Sequence, residues 1–365
     1  MTIGIVGAGQ LGRMLVLAGR PLGLQFRLLD PAGDACAGEL AGQIVAAYDD
    51  AEALGQLAAQ CEIITFEFEN VPATAVDRLS HDRPVYPSPR ALEVAQDRFN
   101  EKTLFGRLGI ATPRFAKIDS EAELRTAVAG MGLPAVLKTR RLGYDGKGQF
   151  VLREEADIEK ACWALGDADL ILEAFVPFER EVSLVATRRA NGETVFYPLT
   201  ENTHRNGILH LSIPRANDPL QAEAEQCVGR LLEELDYVGT LAFEFFVREG
   251  QLLANEIAPR VHNSGHWTIE GAATSQFENH LRAILDWPLG RTDPLCPAAM
   301  VNFVGELPPA EAVLAIPGAR FHDYGKAPRA GRKVGHATLL AGSEEELATR
   351  LSDLLALVPE TGRDA

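Results

Sequence analysis

Lysine is scarce in this chain of 365 residues: Lys102, Lys117, Lys138, Lys147, Lys160, Lys326 and Lys333 are all of it, and arginine supplies the rest of the positive charge. A lysine inside a glycine-rich stretch is therefore a marked feature. Acidic residues outnumber basic ones, 51 to 35, for a net charge of −16. A field of that sign excludes a general surface for nucleic acid or anionic membrane, so an anionic ligand must be held by a local cluster of Lys and Arg. The five cysteines, Cys36, Cys61, Cys162, Cys227 and Cys296, are scattered and form no C-x-x-C. That argues against a disulfide frame or a zinc site and fits reduced thiols in a cytoplasmic protein. No apolar run approaches bilayer length, and the N-terminus reads directly as a strand without the charged start of a secretion signal. There is no G-x-x-x-x-G-K-[ST] string, no internal repeat and no low-complexity tract. The length is too great for one ordinary core and implies two or three domains.

What is present centres on Leu137 to Gln149. The apolar run 133–137 ends at Lys138, a loop follows with Gly143, Gly146 and Gly148, and a second apolar run leaves it at Phe150. The pattern reads as strand, glycine loop, strand. Glycines let backbone N–H groups approach a phosphate chain closely, and Lys138 and Lys147 place compact positive charges on the same anion. A surface hairpin with solvated lysines has the same local pattern.

The chain begins as a strand, Thr2 to Val6, followed by Gly7-Ala8-Gly9-Gln10-Leu11-Gly12 opening a helix, and Asp30 ends the next strand. This matches the dinucleotide fingerprint with its ribose-binding acid, and equally a tight βα turn whose helix N-terminus can hold any phosphate. Strands at 43–46 and 62–66 alternate with helices and predict a small parallel α/β domain. Ser88-Pro89 predicts one long helix carrying Asp97, Arg98 and Lys102 as far as Gly109. Ser120-x-x-Glu123 and Ser343-x-x-Glu346 are capping boxes. Strands are expected at 170–176, interrupted by Glu173, and at 181–187.

Residues 240–247 and 251–257 predict a hairpin across Arg248-Glu249-Gly250. Period-two alternation puts Ala242, Glu244 and Phe246 on one face, and Ala254 with Glu256 on one face of the partner. Two carboxylates inside apolar strands need a reason to be there, since burying them unpaired costs several kcal/mol, roughly. Glu244 and Glu256 offer the hard oxygens Mg²⁺ prefers alongside phosphate. Glu173-Ala174-Phe175-Val176 can present backbone groups to an adenine edge, with Glu181 taking ribose hydroxyls. For Glu173 and Glu181, exposure on an edge strand is the alternative.

The glycine loop, the E-A-F-V segment with Glu181, the F-E-F-F and L-A-N-E-I-A-P-R strands and the H-N-S-G-H-W-T-I-E-G loop resemble the ATP-grasp superfamily. More narrowly, Thr200 to Gly207, Pro259 to Gly271 and Gly331 to His336 resemble its N5-carboxyaminoimidazole ribonucleotide synthetase family, ATP-dependent carboxylases of purine biosynthesis. The resemblance implies an α/β ATP-grasp fold over 96–290, with a small subdomain at about 112–175. An N-terminal Rossmann-like pre-ATP-grasp domain would span 1–95, and a small α+β, β-rich C-terminal domain 291–365. It implies ATP contacts at Arg98, Lys138, Gly143, Tyr144, Asp145, Gly146, Lys147, Gly148, Gln149, Glu173, Ala174, Phe175, Val176, Glu181, His204, Asn255 and Glu256. Glu244 and Glu256 would hold Mg²⁺. Arg260, His262 and Lys333 would be catalytic, the first two at bicarbonate and carboxyphosphate. Gln10, Leu11, Glu67, Tyr144, Asp145, Lys326, Arg332 and Lys333 would face the ribonucleotide.

The implied substrates are 5-aminoimidazole ribonucleotide, bicarbonate and ATP, in a cytoplasmic homodimer without nucleic-acid or membrane partners. Asp30 then keeps only a strand-end or turn role. Two positions depart from the family's pattern. Leu142 stands where a further glycine is usual, and Ala330 replaces the proline of an R-P-G-R-K segment. The rival readings are another ATP-grasp ligase or formate-dependent transformylase and, from a different class, an NAD-dependent dehydrogenase.

Overall fold

The computed structural model describes residues 1–143, 146–166 and 168–358. The first unit is a four-stranded parallel sheet made of β1 (Thr2–Val6), β2 (Gln25–Asp30), β3 (Gly42–Val45) and β4 (Ile63–Phe66), in the order β3-β2-β1-β4. Its helices are α1 (Gln10–Gly19), α2 (Ala51–Gln60) and α3 (Ala73–Asp82). Strand and helix do not alternate throughout: β2 runs to β3 through turns alone. Apolar residues on both faces of this sheet are buried, as parallel strands require.

The single long helix expected after Ser88 is two helices, α4 (Pro89–Ala95) and α5 (Arg98–Arg107). Ser88 and Pro89 do start the first, the Ser88 hydroxyl accepting from the Ala91 N–H. The break is made by Asp97, which turns to extended backbone and caps α5 through the Phe99 and Asn100 N–H groups. The same carboxylate takes a two-pronged ion pair, at 3.0 and 2.6 Å, from Arg140 at the start of the distant glycine loop. That tertiary demand overrides helical continuity and aims Arg98 and Lys102 at the cleft.

A second sheet is antiparallel, in the order β5-β8-β6-β7, from β5 (Phe115–Ile118), β6 (Ala135–Thr139), β7 (Gln149–Leu152) and β8 (Leu170–Ala174). Helices α6 (Glu121–Met131) and α7 (Asp157–Leu165) complete its core, with Ser120 capping α6. The glycine loop is the β6–β7 connection.

The third sheet has nine strands. Its early members are β9 (Arg180–Arg188), β10 (Thr194–Phe196), β11 (Thr200–Arg205) and β12 (Ile208–Pro214). After α8 (Gln221–Glu234) come β13 (Gly239–Arg248) and β14 (Gln251–Ala258), and then α9 (Thr268–Gly271) and α10 (Gln276–Ile284). The last part adds β15 (Ala298–Val304), α11 (Ala310–Leu314), β16 (Ala319–Asp323), β17 (Lys333–Leu340) and α12 (Glu344–Leu357). The path runs β14-β13-β9-β11-β12-β15-β17-β16, with β10 paired to β9, so the C-terminal strands continue the central sheet. Residues of α10 and Tyr324 also pack into the core beneath the N-terminal sheet, joining the units.

The β13–β14 hairpin holds one departure from simple alternation. Glu244 pairs with Glu256, but Phe245 pairs with Ala254, so Asn255 is an extra residue in β14. A one-residue bulge sends the side chains before and after it to opposite faces. Ala254 therefore lies in the apolar core with Phe243 and Phe245, while Glu256 faces the cleft, and the two do not share a face as alternation predicted.

Candidate active site

One cleft of about 760 Å³ lies where the three sheets meet. Its lining includes Gln10, Leu11, Glu67, Arg98, Lys138, Gly143, Gly146, Lys147, Gln149, Glu173, Ala174, Phe175, Val176, Glu181, His204, Glu244, Asn255, Glu256, Arg260, His262 and Lys333, so residues from all three units converge there. Gly148, Lys326 and Arg332 stand outside the lining. Tyr144 and Asp145 lie outside the described residues. Leu142 holds φ +62°, the left-handed region a glycine enters without cost, and is exposed.

At one end of the cleft, β8 is an interior strand and Glu173 is 2% exposed, which removes the edge-strand alternative. Its carboxylate meets Lys138 at 2.9 Å and Lys102 at 3.4 Å. Burial alone would raise Glu173, but Lys138, Lys102 and Arg98 together hold it down at about 2. Lys102, fully buried on α5, also donates to the Asn255 carbonyl at 3.0 Å, and burial lowers its pKa. Nothing in the sequence pattern marked Lys102 as a site lysine, because its partners lie on β8 and β14. Of the backbone donors expected for an adenine edge, Ala174 N–H already bonds Arg114 O at 2.8 Å and Phe175 N–H bonds Pro134 O at 3.4 Å. The Val176 N–H and the buried Asn255 Oδ1 have no partner among the described residues.

Mid-cleft, Glu244 and Glu256 face each other across β13 and β14. Burial first, and then the Glu256 charge, push Glu244 up to about 7. Against its own burial penalty, Glu256 is held below its usual range by Arg98, 2.5 Å away. Two carboxylates on paired strand positions that feel each other's charge fit a divalent cation. Among the described residues no group of three or more His, Cys, Asp or Glu could hold a metal, so ligand oxygens must complete any shell. Glu181, on interior strand β9, bonds His204 Nδ1; burial opposes the imidazolium, but this contact raises the His204 pKa.

At the other end, Arg260 bonds Glu69 through Nε and its own neighbour's carbonyl, Val261 O, through Nη1 at 3.0 Å. Glu69 is a cleft residue that sequence reasoning missed. It stands two residues beyond Glu67, just past the end of β4, and its partner Arg260 is 191 residues further along the chain. His262 Nε2 lies 3.3 Å from Glu244 Oε1, and burial, reinforced by Arg260 and Lys333, drives its pKa well below the usual histidine value.

The N-terminal glycine turn is already filled. Glu67 accepts from the Gly9 N–H and, at 2.7 Å, from the Gly12 N–H, the donors a dinucleotide pyrophosphate would need. Asp30 accepts from Ala8 N–H, Ala32 N–H and the Tyr48 hydroxyl, each at 2.8 Å, which uses it as a turn residue. Lys326 bonds Gln10 at the margin of the cleft.

Family models match three consecutive stretches: a ribonucleotide synthetase preATP-grasp domain at 1–96, an ATP-grasp domain at 103–277 and a phosphoribosylaminoimidazole carboxylase C-terminal domain at 298–350. The chain is 58% identical over 358 residues to the N5-carboxyaminoimidazole ribonucleotide synthase of Pseudomonas aeruginosa, covering 98% of this chain and 99% of that one. The crystal structure of the Thermus thermophilus N5-carboxyaminoimidazole ribonucleotide synthetase superposes with a TM-score of 0.95 at 53% identity, covering 99% of this chain and 100% of the other. The synthase of Aspergillus clavatus, solved with ADP and 5-aminoimidazole ribonucleotide, superposes with a TM-score of 0.91 at 31% identity and covers 98% of each chain.

Proposed function

The chain belongs to the N5-carboxyaminoimidazole ribonucleotide synthase family of ATP-grasp ligases, whose activity is ATP-dependent carboxylation of 5-aminoimidazole ribonucleotide in purine biosynthesis, and we propose that it acts through carboxyphosphate made from bicarbonate. The observation that carries the reading is the Glu244–Glu256 pair, flanked in one cleft by Lys138 and Arg98 on one side and Arg260, His262 and Lys333 on the other.

Bicarbonate is a poor electrophile because its charge is delocalised. In the first step one of its oxygens attacks the γ-phosphorus of ATP, and the bond to the β-phosphate oxygen breaks, leaving ADP. In the second, the exocyclic amine attacks the carboxyl carbon. The carbon–oxygen bond to phosphate breaks, and phosphate departs with the amine's proton. Lys138 and the glycine loop hold the triphosphate, and the Glu173 to Val176 segment with Asn255 meets the adenine end. Glu181 takes the ribose. Arg260 and His262 hold the bicarbonate and the intermediate by charge and hydrogen bonds, and Lys333 with Lys326 and Arg332 faces the ribonucleotide phosphate. Glu244 and Glu256 would hold Mg²⁺, which when bound neutralises charge on the transferring phosphoryl group. Carboxyphosphate is hydrolytically fragile, so closure of the glycine loop over the cleft serves to exclude water. The family resemblance also implies a cytoplasmic homodimer, which light scattering tests for its mass.

Bicarbonate labelled with ¹⁸O tests the route. Transfer of one labelled oxygen to the released phosphate supports carboxyphosphate, and unlabelled phosphate at full carboxylation overturns it.

A further inference from the structure

The His262 ring is held by a hydrogen-bond chain that runs in one direction only. Its Nδ1 lies 2.8 Å from the Ser264 hydroxyl and 3.3 Å from the Ser264 backbone nitrogen, whose N–H points at it. A backbone N–H is always a donor, so Nδ1 is an acceptor and carries no proton. The ring proton of the neutral imidazole is therefore on Nε2, the nitrogen that faces Glu244 Oε1 at 3.3 Å in the cleft.

The groups behind the ring keep the same polarity. The Asn202 amide donates to the Ser183 hydroxyl at 2.9 Å, Ser183 donates to Ser264 at 2.8 Å, and Ser264 is left to donate to Nδ1. The Ser212 hydroxyl donates to the Asn202 side-chain oxygen at 2.8 Å, which fixes that amide's orientation. Each hydroxyl has one proton to give, so reversing the chain would need an Nδ1 proton aimed at the Ser264 N–H. Ser183, Ser212 and Ser264 are fully buried and Asn202 nearly so, so no solvent can reset the chain. Gln276 grips the His262 backbone from the other side, donating to its carbonyl at 2.6 Å and accepting from its N–H at 2.9 Å.

We propose that Asn202, Ser183 and Ser264 are positioning residues that lock His262 as an Nε2–H hydrogen-bond donor to the carboxyl or phosphoryl oxygens in the cleft, and that His262 does not accept the amine's proton. An imidazole whose Nε2 carries the proton and whose Nδ1 is spoken for has no free lone pair to offer the substrate. The identity of the acceptor rests on the carboxylase reading; the tautomer does not.

Long-range ¹H–¹⁵N correlation spectra of ¹⁵N-histidine-labelled protein, with His262 assigned by its loss in His262→Gln, read the tautomer directly. The expected result is an unprotonated Nδ1 and a protonated Nε2 at neutral pH; a protonated Nδ1 or a doubly protonated ring overturns the proposal. In steady-state carboxylation, His262→Gln, whose amide nitrogen stands near Nε2, should retain about tenfold more turnover than His262→Ala or His262→Asn. Equal losses in all three contradict a donor role. Ser264→Ala, or Ser183→Ala should the first not fold, should lower kcat about tenfold at unchanged KM for ATP and alter the His262 ring signals. Wild-type kcat and signals in both overturn the proposal. Absence of carboxylation in wild type with the expected tautomer would count against the carboxylase reading alone.

Discussion

At the scale of single residues, the cleft works by setting charges against one another. Glu256 is held ionised by Arg98 while Glu244, facing it, is pushed up to about 7 by burial and by that same charge. Glu256→Gln keeps the shape but removes the charge that fixes a metal and releases Arg98. Turnover should fall roughly a hundredfold or more at saturating Mg²⁺ with little change in fold, measured by ADP release and circular dichroism. Near-normal turnover would make Glu256 a structural partner of Arg98 and nothing more. Arg260 stands apart from the adenine end, bonded to Glu69. Arg260→Ala should therefore abolish carboxylation while ATP affinity, measured by calorimetry, stays within a few-fold. A comparable loss of ATP binding would show that the two ends of the cleft are not separable. Such residues differed in how legible they were. Lys138, Glu244 and Glu256 were readable because each interrupts an apolar strand. Lys102, Glu69 and Asp97 were not, since each owes its role to a partner dozens of residues or more away in the chain.

At the scale of elements, α5 is the piece most dependent on one side chain. Asp97 caps it and anchors Arg140, the residue that follows β6, and the Asp97 side chain is 1% exposed. Against its burial penalty, the Arg140 pair and the two capping N–H groups hold its pKa down. Asp97→Ala removes a cap and leaves a half-hidden guanidinium unpaired, at a cost of about 3 kcal/mol or more. Asp97→Asn keeps the cap and should cost markedly less. Urea unfolding measures both, and equal costs would mean that the cap contributes nothing beyond the ion pair, which both variants lose. The strands and caps were legible because period-two runs and Ser-x-x-Glu signals are local. The helix break and the Asn255 bulge were not. A continuous helix and an unbroken strand are what local propensity favours, and only the distant Arg140 and the β13 register decide otherwise.

At the scale of the whole molecule, the N-terminal sheet is tied to the central one by buried polar contacts. His280 on α10 accepts from the Thr240 N–H at 3.0 Å on β13 and bonds the Thr65 hydroxyl at 2.9 Å on β4. Burial lowers its pKa from 6.5 to about 4. Its folded value lies below its unfolded one, so its contribution is whole above pH 6.5 and is lost as pH falls towards 4, about 3 kcal/mol in all. His280→Asn should lower stability at neutral pH but flatten this acid limb in thermal unfolding. An unchanged pH dependence would contradict the assignment. Fold-level pattern alone left the N-terminal glycine turn open to a dinucleotide. The Glu67 carboxylate closes that choice by occupying its N–H groups, a contact between β1 and β4 ends that no local motif encodes. ADP release with ATP and bicarbonate, with and without 5-aminoimidazole ribonucleotide, tests whether this molecule is a carboxylase. Rapid ADP formation that requires both bicarbonate and the ribonucleotide is the predicted result; ADP formation driven instead by formate or an amino acid would contradict it.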